Sequence, residues 1–139
     1  MNPDSGRGLI MSIESRKDVA KAVRSTSQVA KEMGFRESSR FAIATTASEL
    51  GTNIVKYAGT GYLKLEPVQR SGSHGLELTA QDDGPGIEDV AAAMQDGYST
   101  SGGLGVGLSG VERMMDEMEI DSGQDKGTRI IVRKWRRSG

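Results

Sequence analysis

The chain has 139 residues and no cysteine, which excludes disulfides and any thiolate nucleophile or thiolate metal site. Its 18 Lys and Arg stand against 19 Asp and Glu, so charge gives no case for nucleic acid or an anionic membrane surface. A single histidine argues against a histidine-rich metal site, and no apolar run approaches the roughly 20 residues of a membrane span.

The length suits one domain over 1–139 with a real core, and neither a linker nor an internal repeat interrupts it. The N-terminus lacks the apolar region of a signal peptide, so a cytoplasmic protein is expected. Met1 to Gly8 is polar and reads as a frayed start. Leu9 to Ile13 is a short first strand. Ser15-Arg16-Lys17-Asp18 resembles a capping box, and Val19, Val23, Thr26, Ala30 and Met33 carry helical spacing to a C-cap at Gly34.

Ser38 or Ser39 is expected to cap the second helix, which ends near Gly59. Ile43, Ala47, Leu50, Ile54 and Ala58 recur at steps of three and four along one face. Glu49 and Asn53 lie four apart, each about 100° from that seam. They are either a polar pair on a solvated face or a carboxylate and carboxamide facing a cleft. In the second case Glu49 can accept a proton and the Asn53 carbonyl can ligate a hard cation.

Two alternating segments follow, Tyr62 to Glu66 and Leu76 to Gln81, joined by Arg70 to Gly75, a stretch of hairpin-turn composition with His74 exposed at its tip. After Asp82-Asp83-Gly84-Pro85-Gly86-Ile87 comes a short possible helix, Glu88 to Met94. Asp96 to Gly107 is dense in Gly, Ser and Thr. From Val106 the spacing turns helical through Val111, Met114, Met115 and Met118, with the methionines as core filler. A closing strand runs from Thr128 to Trp135, and the basic run Arg133 to Arg137 reads as its solvated end. This order suits a two-layer α/β sandwich of the α+β kind, a mixed or antiparallel sheet covered on one face by helices.

Gly105-Val106-Gly107-Leu108-Ser109-Gly110 fits G-x-G-x-x-G, but no strand leads directly into it, so the dinucleotide reading fails. A Walker A sequence is absent. A glycine run entering a helix can still present bare N–H groups to an anion, or be a flexible surface loop. Asp82 can accept a hydrogen bond from an exocyclic amine such as adenine N6, with Gly84 and Gly86 leaving room for a flat ring. A plain strand-end turn explains the glycines equally well, though not the acid.

Taken together, E-x-x-x-N on a helix, D-x-G-x-G, G-x-G-x-G entering a helix, and Gly-Thr before a strand resemble the motif series of the GHKL ATP-binding family. Within it the chain resembles the bacterial anti-sigma-factor type serine/threonine kinases, and among these the switch kinases of stressosomes. The likeness runs from about Leu9 to Trp135 without departure at the motif positions.

The resemblance implies a Bergerat-type sandwich binding ATP and Mg²⁺ between helices and sheet. It implies that Asn53 ligates Mg²⁺, Glu49 acts as base and Asp82 reads the adenine amine, with Gly84, Gly86 and Ile87 at that end. Gly103, Leu104, Gly105, Val106 and Gly107 would contact the phosphates, Thr128 would support the adenine site, and Glu88 to Gly103 would form a lid. It further implies STAS-domain protein substrates and a PP2C-type phosphatase activated by binding. The alternative is an ATP-gated module that sequesters a sigma factor.

Overall fold

The computed structural model describes residues 8–86, 94, 107–123 and 127–136. Strand β1 (Leu9–Ile13) leads into α1 (Arg16–Glu32) and α2 (Glu37–Tyr57). A hairpin of β2 (Gly61–Arg70) and β3 (Ser73–Asp82) follows, then α3 (Gly107–Met114), β4 (Glu117–Ser122) and β5 (Thr128–Trp135). The helix expected from Glu88 and the glycine-rich run before Gly107 lie outside the described residues.

The sheet order is β1-β2-β3-β5-β4, and every one of these pairings is antiparallel, so the sheet is not mixed. Two helices separate β1 from β2, which returns the chain with reversed direction, and β2–β3 and β4–β5 are direct antiparallel neighbours.

Residues paired in register share a face of the sheet. Leu65 pairs with Leu78, Leu78 with Val132, and Ala80 with Ile130, and all five are buried. The helices cover this face. The expected seam of α2 is buried through Ile43, Ala47, Leu50 and Ile54. Against the other side of the layer stand Lys64, Glu66, Glu77 and Arg133. There Arg133 donates to Glu77 (2.8 Å), Glu117 (3.1 Å) and Glu119 (2.7 Å), and the Trp135 indole N–H donates to Glu117 (3.0 Å). Hydrogen bonds from Arg70 and then Trp135 hold the Glu117 carboxyl below its ordinary range.

Local sequence signals set most of the boundaries. Ser15 Oγ accepts from the Asp18 N–H (3.4 Å) while Asp18 accepts from the Glu14 N–H (2.9 Å). At the other end of α1, the Gly34 N–H donates to Lys31 O and the Phe35 N–H to Ala30 O, a Schellman closure with Gly34 at φ +85°. Buried Phe35 pins that turn to the core.

Three expectations are corrected. Helix α2 begins at Glu37 with Arg36 at the cap position and no side-chain cap, so Ser38 and Ser39 lie inside its first turn. The third helix stops at Met114, and Met118 belongs to β4. Met114, Met115 and Met118 imitate helical spacing, whereas Glu117-Met118-Glu119-Ile120-Asp121 alternates polar and apolar as a strand with one covered face does. His74 is exposed as expected, but it sits inside β3 opposite Gln69, one pair beyond the Ser71-Gly72 turn.

Leu78 is 1 % exposed in the middle of the central strand. Leu78→Ala should cost about 2–5 kcal/mol, the range for leucine truncation in a packed core, read as a lowered urea midpoint with unchanged slope.

Candidate functional site

Helix α2 lies against the sheet through β2 and β3 and between α1 and α3. On its line of i,i+4 positions are Glu49, Asn53 and Tyr57. Beyond Ile54 and Tyr57 the helix closes at Gly59, whose N–H donates to Ile54 O (2.8 Å) at φ +89°.

Between α2 and the sheet is an open pocket with about 770 Å³ of empty volume. Leu50, Ile54, Ala80, Leu108 and Ile130 give it apolar walls, and Asn53, Tyr57, Asp82, Pro85, Gly86 and Thr128 complete its described lining. Tyr57, half-exposed with the Lys56 ammonium 5.2 Å from its ring centre, was not singled out from the sequence. Its place four residues after Asn53 was the available signal.

Asp82 ends β3 and pairs with Thr128 at the start of β5. Its Oδ1 accepts the Gly84 N–H (2.8 Å), and the carboxylate also accepts a backbone hydrogen bond from Thr128. Burial pushes the Asp82 carboxyl above its ordinary value, the neighbouring Asp83 adds to the rise, and the two backbone donors oppose it. Ser122 Oγ donates to Gly127 O (2.9 Å) and meets Thr128 Oγ1 at 3.0 Å, which fixes the threonine hydroxyl.

The glycines beside Asp82 serve the protein's own packing. At Gly84 a Cβ would lie 2.7 Å from the Ala58 Cβ, at the C-terminal end of α2. Gly86 has φ +83°, and a Cβ there would collide with the Gly123 carbonyl oxygen. Gly86 also borders the pocket. Gly107 opens α3 at φ +73°, and Leu108 beside it lines the pocket, so the N-terminal end of α3 reaches the cavity.

Glu49 differs from expectation. It is 6 % exposed and is not among the described residues lining the pocket. Ile87, Gly103, Leu104, Gly105 and Val106 lie outside the described residues. Among the described residues no cluster of three His, Cys, Asp or Glu is placed to hold a metal, and no helix is long and apolar enough to cross a membrane.

An apolar slot with one carboxylate anchored at a strand end and a carboxamide on the facing helix has the chemistry to suit a flat, amine-bearing ligand with a polar tail. Sequence comparison agrees with that description. The family described as "Histidine kinase-like ATPase domain" matches residues 13–134, and the chain belongs to it.

Within that family the chain is 47 % identical over 120 residues to the serine/threonine-protein kinase RsbT of Bacillus subtilis, covering 86 % of this chain and 90 % of that protein. It is 33 % identical over 98 residues to the anti-sigma F factor of Clostridium kluyveri, 66 % of this chain and 68 % of that protein. Among solved structures the fold resembles the SiaB-SiaC complex from Pseudomonas aeruginosa (TM-score 0.56, 13 % identity, 91 % of this chain and 89 % of that one). It also resembles the mycobacterial sensor histidine kinase MprB (TM-score 0.54, 18 % identity, 96 % and 99 %).

Because folding raises the Asp82 pKa, the charged form is disfavoured in the native state. Its penalty is fully present at neutral pH and is lifted as pH falls through the raised native value toward the ordinary 3.8. Asp82→Asn removes that penalty and keeps an acceptor for the Gly84 and Thr128 N–H groups. The variant should therefore melt at the same or a higher temperature at pH 7, and its advantage over wild type should shrink in acid. Its affinity for ATP should fall about tenfold or more, through loss of a charge-assisted hydrogen bond. Calorimetric melting beside nucleotide titration reads both.

Proposed function

We propose that this chain is an ATP-dependent protein serine/threonine kinase of a bacterial partner-switching circuit, phosphorylating STAS-domain proteins and activating a PP2C-type phosphatase by binding it. The observation that carries the nucleotide part is Asp82, a carboxylate anchored by two backbone donors at the edge of an apolar pocket. Identity to a serine/threonine-protein kinase over most of both chains supports the reaction class. The motif series supports the partners.

In this reading Asp82 accepts from the adenine amine, and Leu50, Ile54, Ala80 and Ile130 exclude water from the ring. The pocket fits such a group, since its walls are apolar and its polar atoms few. Asn53, half-buried on α2 and lining the same pocket, is the residue that would hold Mg²⁺. Bound Mg²⁺ neutralises charge on the triphosphate oxygens. The N-terminal end of α3, brought to the pocket at Leu108, offers its positive dipole end to the phosphates.

Glu49 has the task of orienting the acceptor hydroxyl and taking its proton. Phosphoryl transfer is mostly positioning and charge stabilisation, and a serine hydroxyl is too weak an acid to ionise beforehand. A late proton transfer therefore asks for no unusual acidity from Glu49.

A second reading rests on the burial of Glu49, at 6 % exposure and outside the described pocket wall. A carboxylate so covered suits an ATP-gated binding module with weak transfer, and anti-sigma F factors are among the relatives.

Glu49→Gln separates the two. In a kinase it should keep ATP affinity while single-turnover transfer to a STAS-domain partner falls, at the lower end of the about 10²–10⁴-fold that loss of a general base costs. Full transfer in that variant would remove Glu49 from the base role. Absence of transfer in wild type, with partner binding still ATP-dependent, would establish the module reading instead.

A further inference from the structure

On the side of the helical layer away from the sheet, α1 and α2 leave a shallow groove that is largely open to solvent. Val23, Ser27 and Ala44 line it with small side chains, two of them apolar, and Phe41 in the same lining has 69 % of its surface exposed. The cleft continues toward the start of α1 past Ala20, Ser48 and Thr52. From Phe41 to Thr52 it follows α2 for about 16 Å, or three helical turns.

The rim is basic in a chain whose net charge is −1. Arg24, Lys31 and Arg40 line the groove against one acid, Glu37. Lys17, Lys21, Arg24, Gln28 and Lys31 recur at steps of four and three, which places them in one stripe along α1. Among the described residues Arg24, Lys31 and Arg40 make no ion pair. The Nε of Arg40 is buried with no hydrogen-bond partner. Its donor is withdrawn from water and unused, a state with a real cost.

We propose that this groove docks an acidic amphipathic helix of a partner protein. Two neighbouring helices with small side chains between them offer the cleft into which a third helix packs. Phe41 supplies an apolar anchor of the kind such grooves use. The rim fixes the sign of the flanking charges, and acidic side chains along the incoming helix pair with the exposed Arg24 and Lys31. A phosphate backbone or lipid headgroup would meet the cations but not the apolar floor or Phe41.

This surface is separate from the nucleotide pocket. The groove runs along α2 as far as Thr52, next to Asn53 in sequence, but the described linings of the two share no residue. The proposal goes beyond the kinase reading and does not depend on it.

The test titrates the full chain with a fluorescent helical peptide of about 16 residues, bearing a Leu/Ala ridge flanked by Glu. The same peptide with Lys for Glu, a single-stranded oligonucleotide and phosphatidylglycerol vesicles are the controls. The acidic peptide should bind, more weakly as salt rises from about 50 to about 300 mM. The double variant R24E/K31E should lose tenfold or more of that affinity while ATP binding and melting temperature stay unchanged. If that variant melts early, Phe41→Ser, a change at an exposed position, should show the same loss. Equal affinity for the Lys peptide, tighter binding of oligonucleotide or vesicles, or undiminished binding in Phe41→Ser would each overturn the proposal. A failure of ATP titration alone would count against the kinase reading and leave the groove standing.

Discussion

The pairing of Asp82 with Thr128, where β3 ends and β5 begins, is the contact on which the candidate site depends. It brings two distant stretches of chain to one edge of the pocket and sets a carboxylate in its lining. Gly127 makes the approach possible: at φ +75° it passes so close to the Asp82 carbonyl that a side chain would not fit. Gly86 fills the same role against Gly123. The turn after β3 is thereby clamped between α2 and the β4–β5 connection, and the acid is held by Gly84 and Thr128 rather than by a cation. Such an acid is costly to bury.

The helical layer presents two distinct surfaces. Toward the sheet, α2 lends Leu50, Asn53, Ile54 and Tyr57 to the pocket. Away from it, α2 and α1 form the basic groove. One helix thus belongs to both surfaces, so a partner seated in the groove would rest on the same rigid rod that carries Asn53. The sheet's far face is occupied differently, with Arg133 bridging three carboxylates drawn from β3 and β4.

Much of this was legible because the signals are local. The cap at Ser15, the closure at Gly34, the apolar seam of α2 and the alternation in β2 and β3 each follow from residues within one or two turns of one another. The motif positions Asn53, Asp82, Gly86 and Thr128 do converge on one pocket. What was missed depends on contacts between distant segments. Strand β4 was hidden by methionines that mimic a helix, and its alternation acquires meaning only once β5 lies beside it. The burial of Glu49, at the edge of the seam, is not something that spacing within α2 reveals. Likewise, the demand on Gly86 comes from Gly123, 37 positions away in sequence and adjacent in space.

The central claim is that Asp82 reads an exocyclic amine, and nucleotide choice tests it most directly. Adenine offers an amine where guanine has a carbonyl, which would face the carboxylate oxygen to oxygen. Titration calorimetry of the wild-type chain with ATP and with GTP should show a preference for ATP of about tenfold to over a hundredfold, the equivalent of the roughly 1.5–3 kcal/mol of a charge-assisted hydrogen bond. Equal affinity for the two nucleotides would contradict the account and remove Asp82 from the adenine site.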